Sequence, residues 1–425
     1  MQFLPSRVID LESVFVLALY RSSVAPLSFS LRRAGSLALV GFLFSVPASC
    51  QTLQPFVSAD VNYDDNLFRL PDGQPGSMRK GDDTYRSVTG GLNFERTVSR
   101  QEFSATAKLS SVQFKHNRQL DHTNKNLKGE WHWFFAAHVD GHIGGSYTQA
   151  LASFADFHSD QRNIRVTIKQ YADGKWRFHP SWQLRTGYNR ERYVFDLLSL
   201  HAGDRTEDAW MTGLDYLARG GNTMGFQFRR VDGAYPGRQF LGFGGTNEGF
   251  IQQEAKLNIL WLATGSTEVL FLGGHVRRKQ GSSTRRVDSG FNSRLVVNWA
   301  PVERMRVVGQ AWREFAAIEG AFVNSALTTG ASAGATWDAT EKIQAVVNLK
   351  HDRRDFVPGA GVGLSLSSML DDDSNNTASF GLVYKPIRKL TLQASAFRER
   401  RAGSALAGTS SYRAHGASFS VSAQF

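Results

Sequence analysis

Residues 127–135 read LKGEWHWFF. Leu127, Gly129, Trp131, Trp133 and Phe135 share one parity, and Lys128, Glu130 and His132 share the other. Side chains of a strand point alternately to its two faces, so this segment is a strand with one apolar, aromatic face and one charged face. Such a strand suits a wall with lipid on one side and water on the other.

The same period continues along the chain. Ile164, Val166 and Ile168 oppose Arg165, Thr167 and Lys169. Phe291, Ser293, Leu295, Val297 and Trp299 form another apolar face, as do Ala255, Leu257, Ile259 and Trp261, and Ile343, Ala345, Val347 and Leu349. Several of these faces end in Trp or Tyr, as expected of an interfacial girdle. Connections alternate in length. Short ones are read at residues 97–100, 173–175, 219–222, 264–266, 301–304, 339–342 and 386–389. Long ones are read at 64–82, 117–124, 194–205, 233–246, 281–288, 318–324, 355–375 and 401–411. This predicts an all-β fold: a transmembrane antiparallel up-and-down barrel of about 18 strands (16–18), with tight periplasmic turns and long outer loops. A barrel this wide holds water rather than a packed core. A secreted solenoid or propeller would also alternate, but no internal repeat is visible.

Composition agrees. The chain has 425 residues, 12% aromatics, 40 Gly and one Cys, which excludes a disulfide framework and a cysteine metal cluster. The mean hydropathy of −0.30 rules out a polytopic helical membrane protein and is blind to a barrel, where every second residue faces lipid. The net charge of +11 comes from Arg and Lys spread along the chain, without the basic block of a nucleic-acid arm.

Residues 1–50 read as a signal peptide with an extended N-region. Arg32 and Arg33 are followed by an apolar run from Ala34 to Val46 and a small-residue zone at Pro47 to Cys50. The barrel domain then spans 51–425, placing it in the outer membrane of a Gram-negative bacterium. The chain closes on ASFSVSAQF. Phe419, Val421, Ala423 and the terminal Phe425 share a face, as in the C-terminal signal by which the barrel-assembly machinery recognises its clients.

Candidate chemistry is sparse. Asp64-Asp65, Asp82-Asp83 and Asp371-Asp372-Asp373 fall in or beside long loops without the spacing of a Ca²⁺ loop. They read as solvated loop acids, with divalent ions bridging them to lipopolysaccharide. His158-Ser159 cannot work as a catalytic pair on one strand face, because neighbours point opposite ways. His116, His122, His132, His138 and His142 show no metal-ligand spacing. No enzyme activity, cofactor or metal site is expected. By alternation Lys128, Arg165, Lys169, Arg185, Arg229, Lys256, Arg277, Arg294, Arg306 and Lys350 face the lumen. Only Glu130 and Glu254 stand out as acids among them, which predicts a cationic, anion-preferring path. Trp312 and Phe271 are read as inward aromatics able to stack on a sugar or to plug the pore. The apolar loop within 355–375 is read as folding inward.

The word Tyr63-Asp64-Asp65-Asn66-Leu67-Phe68-Arg69, with Pro71-Asp72 behind it, resembles the first strand of the EpsL-type exopolysaccharide operon proteins, the β-barrel porins of exopolysaccharide gene clusters. Length, signal peptide and alternating strands are similar too. The resemblance implies an outer-membrane pore that takes part in export of an extracellular polysaccharide, and it brings no catalytic residues. The implied partners are outer-membrane lipid and lipopolysaccharide, the exopolysaccharide chain, the assembly machinery and other export components. The alternatives are a general anion or oligosaccharide porin, and a surface structural or adhesion barrel.

Overall fold

The computed structural model describes residues 52–71, 81–155, 159–236, 249–280, 287–317, 323–358, 372–404 and 409–425. The signal-peptide reading of 1–50, His158, Asp371 and the apolar part of the loop at 359–371 lie outside the described residues.

Period-two patterning yields strands and little else. They are β1 (Leu53–Asp64), β2 (Asp83–Val98), β3 (Gln101–Phe114), β4 (His122–Ala136), β5 (Val139–Leu151) and β6 (Ile164–His179). Then follow β7 (Trp182–Phe195), β8 (Arg205–Leu217), β9 (Thr223–Ala234), β10 (Phe250–Thr264), β11 (Thr267–Gln280) and β12 (Val287–Val302). The last six are β13 (Met305–Ala317), β14 (Val323–Asp338), β15 (Ile343–Pro358), β16 (Asp373–Ile387), β17 (Leu390–Ala402) and β18 (Tyr412–Gln424). Each pairs antiparallel with its sequence neighbours, and β1 pairs with both β2 and β18, so an 18-stranded sheet closes on itself. Closure leaves no open edge, the condition for strands to stand in lipid.

The outward faces carry the large exposed apolar side chains, among them Val61, Leu109, Leu127, Ile143, Leu214, Phe226, Leu295, Val347 and Phe380. At the short-turn end they finish in Trp131, Trp176, Trp182, Tyr216, Trp261, Trp299, Trp337 and Tyr384, all exposed. These rings form the girdle, and neighbours touch: Trp182 meets Tyr216 edge-on at 5.3 Å, and Phe103 stacks on Trp131 at 5.8 Å. No soluble surface would tolerate such a belt; a bilayer requires it. The protein is an integral barrel of the outer-membrane type.

The closing seam runs along β18, where Val61 faces Phe419, Ala59 faces Val421 and Val57 faces Ala423 on the lipid side. Phe425 follows the strand, and its N–H donates to the Pro55 carbonyl at 2.9 Å.

One connection is misplaced in the sequence reading, and two, after β4 and after β5, are missing from it. Asp173-Gly174-Lys175 is strand, not turn; β6 runs on to His179 and reverses at Pro180-Ser181. Asp173 faces the lumen, where it accepts from His142 Nδ1 at 3.1 Å, and pairing of Asp173 with Gly187 and of Gly174 with Thr186 on β7 keeps the Asp-Gly pair extended.

Candidate functional site

Residues directly opposite across a strand pair share a face, so the register sorts lumen from lipid. Lys128, Arg165, Lys169, Arg185, Arg229, Lys256, Arg294, Arg306, Trp312 and Lys350 all fall on the inward faces. Arg277 does not. It lies opposite Gln253 and Ser289 on the outward parity of β11, while its neighbour Arg278, opposite Gln252, points in and is buried. Phe271 is outward too, between Ile259 and Leu295. Both were misread because β11 begins TEVLFL, apolar on both parities. Alternation cannot choose a face there; pairing with β10 and β12 does.

The expected surplus of lumen bases is absent among the described residues, because acids share the same faces. Lys169 reaches Glu191 at 2.8 Å, Lys350 reaches Asp352 at 2.7 Å, and Lys128 lies 3.7 Å from Glu130. Arg185 grips Asp215 with two N–H groups, one at 2.9 Å, and Arg294 does the same to Glu314, with one bond at 3.0 Å. Glu254 lies 2.7 Å from Lys256 and 3.7 Å from Arg229, and Arg306 lies 3.7 Å from Asp338. The wall is thus a series of ion pairs. A pair presents a dipole rather than a charge, so its pull on a passing ion fades within a few ångströms.

Trp312 offers no stacking platform. It is buried, with its ring flat on the wall over Gly330, where an added Cβ would lie 2.5 Å from the indole. The Lys350 ammonium sits 5.7 Å from its centroid.

The outer mouth is built by the Tyr63–Arg69 word. β1 ends at Asp64 and the chain turns inward. Phe68 is fully buried and meets Phe154 edge-on at 5.1 Å. Around it pack Leu67, Val112, Phe114, Leu120 and Phe154, with Tyr85 and Leu151 beside them. Tyr85, Val112 and Phe114 lie on inward faces, so this apolar cluster narrows the lumen from one side. Arg69 stands in the left-handed region at φ 56°. Its guanidinium donates to Asp64 at 2.9 Å and to Glu399 of β17 at 3.2 Å. Burial works against that charge, and the Asp64 and Glu399 carboxylates more than offset it, so the Arg69 pKa rises above its ordinary value. Tyr412 and Asn375 also donate to Glu399, at 2.8 and 3.2 Å.

A second tie completes the mouth. Asp373 is buried and accepts from Arg354, at 2.8 and 2.6 Å, and from Arg401, at 3.2 Å through Nε. Arg401 Nη2 also donates to Asp373, and Nη1 donates to the Ala155 carbonyl at 2.5 Å, anchoring the segment that carries Phe154 to the wall at β17.

The paired acids are therefore not all solvated loop groups, as the sequence suggested. Asp64, Asp83 and Asp373 are buried. Asp83 accepts the backbone N–H groups of Thr84 at 2.7 Å, His116 at 3.1 Å and Asn117 at 2.8 Å. Converging loop amides offset the cost of burying such a carboxylate.

The sequence reading also missed one inward cluster. His132 and His142 face each other across β4 and β5 and stack at 4.2 Å. Glu102 and Asp140 flank His132 at 3.3 and 3.5 Å, and Asp173 holds His142. The signal was available: both histidines lie five residues from a reversal at Ala137. Stacked rings do not converge their nitrogens, and among the described residues no group of three or more such side chains could hold a metal ion.

No family model matches the sequence, and no curated protein matches it. Among solved structures the chain is similar to the outer membrane protein opdK from Pseudomonas aeruginosa, at 10% identity and TM-score 0.46, covering 88% of this chain and 98% of that one. It is similar to a BenF-like porin from Pseudomonas fluorescens Pf-5, at 10% identity and TM-score 0.47, covering 88% and 99%. It is also similar to Pseudomonas aeruginosa OccK2 (OpdF), solved in complex with glucuronate, at 11% identity and TM-score 0.46, covering 88% and 98%. At these values the likenesses carry nothing about solute or mechanism, and the barrel stands on its own strand pairing.

Proposed function

We propose that the protein is a porin, a water-filled pore that lets small hydrophilic solutes cross the outer membrane with little selection by charge sign. One observation carries this reading: a closed 18-stranded wall whose inward faces are polar and ion-paired while its outward faces are apolar. Barrels of this strand number leave an aqueous channel. Paired charges keep that channel wet without holding an ion in it. Liposomes carrying the purified barrel are expected to swell in neutral mono- and disaccharides. Failure to swell above protein-free vesicles would overturn the reading.

Local charge should still be tunable. Glu254→Gln leaves Lys256 and Arg229 without their shared carboxylate. The reversal potential across a KCl gradient is expected to move toward chloride. No movement would mean that this part of the wall does not line the current path.

A second reading, export of an exopolysaccharide chain, is favoured by the likeness of the Tyr63–Arg69 word to the EpsL-type proteins. It no longer draws on a cationic lumen. A strain lacking the gene should then hold polysaccharide in the periplasm and lose it outside; two unchanged pools would remove this reading and leave the porin.

A further inference from the structure

Three lumen carboxylates at the short-turn end have histidine as their ionic partner. Among the described residues Glu102, Asp140 and Asp173 meet no Lys or Arg within ion-pair distance; they face His132 and His142 instead. All three stay open to lumen water, with side-chain exposures of 57%, 33% and 26%. Charged groups on the neighbouring strands are engaged elsewhere or stand off. Lys175 of β6 lies directly opposite Asp140 without pairing to it. On β7, Arg185 is committed to Asp215, and on β4, Glu130 is held by Lys128 and the Tyr171 hydroxyl. Thr97 of β2, opposite Glu102, is uncharged. At the turn below, the Arg177 N–H donates to the His138 carbonyl at 2.8 Å, and both side chains are exposed.

The geometry of His132 shows what this cluster holds. Its Nδ1 faces Glu102 at 3.3 Å and its Nε2 faces Asp140 at 3.5 Å. A neutral imidazole has one N–H and one bare nitrogen, so it donates to one acid only; the protonated ring donates to both. His142 donates through Nδ1 to Asp173 at 3.1 Å. Two imidazoliums stacked at 4.2 Å would repel in isolation, but each carries its own carboxylate here, which favours the charged form of both.

We propose that His132 and His142, with Glu102, Asp140 and Asp173, set the ion preference of this end of the pore by pH. With both imidazoles neutral, the three carboxylates draw cations. With both protonated, two of the three are offset and the pull falls. Histidine ordinarily titrates between about pH 5 and 8, where carboxylates as a class stay ionised. The dependence rests on the porin reading and adds a response to acidity to it. Position limits its reach. The cluster occupies β3 to β6 of an 18-stranded wall, and salt screens exposed charges beyond about 10 Å at 0.1 M. The preference is therefore expected in dilute salt and lost in concentrated salt.

The test is the reversal potential of the full barrel in a planar bilayer under a dilute KCl gradient, read from about pH 7.5 to about pH 5. The potassium-to-chloride permeability ratio is expected to fall about twofold on acidification, and to stay constant over the same steps near about 1 M KCl. His132→Gln with His142→Gln should hold the ratio at its higher value throughout. His138→Gln, at the exposed turn, should titrate as the wild type does. Glu102→Gln with Asp140→Asn should lower the ratio at neutral pH. Folding of each variant is checked by its unheated migration in SDS gels. An open pore whose ratio ignores pH, or a shift that survives in the double histidine variant, would overturn the proposal and leave the porin reading intact. A barrel that never conducts would remove the porin reading, and this inference with it.

Discussion

Asp373→Asn is expected to destabilise the folded barrel by about 3–5 kcal/mol, the usual cost of removing one partner from a buried ion pair. The substitution keeps the volume and removes the charge. Asp373 serves two guanidiniums, with side-chain exposures of 17% for Arg354 and 3% for Arg401. Neither can turn to water without breaking the mouth, so both would stay buried beside a neutral amide. The urea midpoint reads the loss. Adding Arg401→Met removes one stranded charge and is expected to restore part of the stability. A double variant as weak as the single would mean that the cost lies in local packing rather than in charge. Loosening Arg401 should also free the segment at Ala155, so conductance noise is expected to rise with the single substitution.

Phe68→Ala carries the second large effect. The ring is fully buried in the mouth cluster, and emptying such a site costs about 3–5 kcal/mol. The functional consequence matters more. The cluster stands on inward faces, so removing its centre should widen the narrow side and raise single-channel conductance. Phe68→Leu keeps most of the volume and should leave conductance near the wild type. Lower stability with unchanged conductance would mean that the segment packs at the mouth without restricting it.

Much of this fold is legible in the sequence because lipid and water impose opposite demands on alternate residues. LKGEWHWFF announces one strand, and Lys350 and Asp352, two apart, announce their shared face. Other features need register. Arg185 and Asp215 lie 30 residues apart and meet only because β7 and β8 pair as they do. Counting bases by parity therefore saw Lys128 to Lys350 and overlooked most of the acids that answer them. β11 defeats alternation because Leu270, Leu272, Val269 and Phe271 are apolar on both sides. The Asp-Gly at 173–174 has turn chemistry, and pairing with Gly187 and Thr186 of β7 overrides it.

The outer mouth was the least legible part. Asp64-Asp65 and Asp82-Asp83 look like solvated acids because nothing local shows a loop folding back. What buries Asp64 and Asp83 involves distant partners: Arg69, tied to Glu399, against Asp64, and the amides of 115–117 against Asp83. The Tyr63–Arg69 word marks the end of a strand, as expected of it. It also turns Phe68 into the barrel and braces the backbone of β18.

The account rests on a wet pore whose wall bases are held in ion pairs. Single-channel recording of the purified barrel in a planar bilayer, with a KCl gradient, measures both properties at once. The account predicts stable open currents in the absence of any polymer and nearly equal permeability to potassium and chloride. A silent barrel, or a strong preference for chloride, would contradict it.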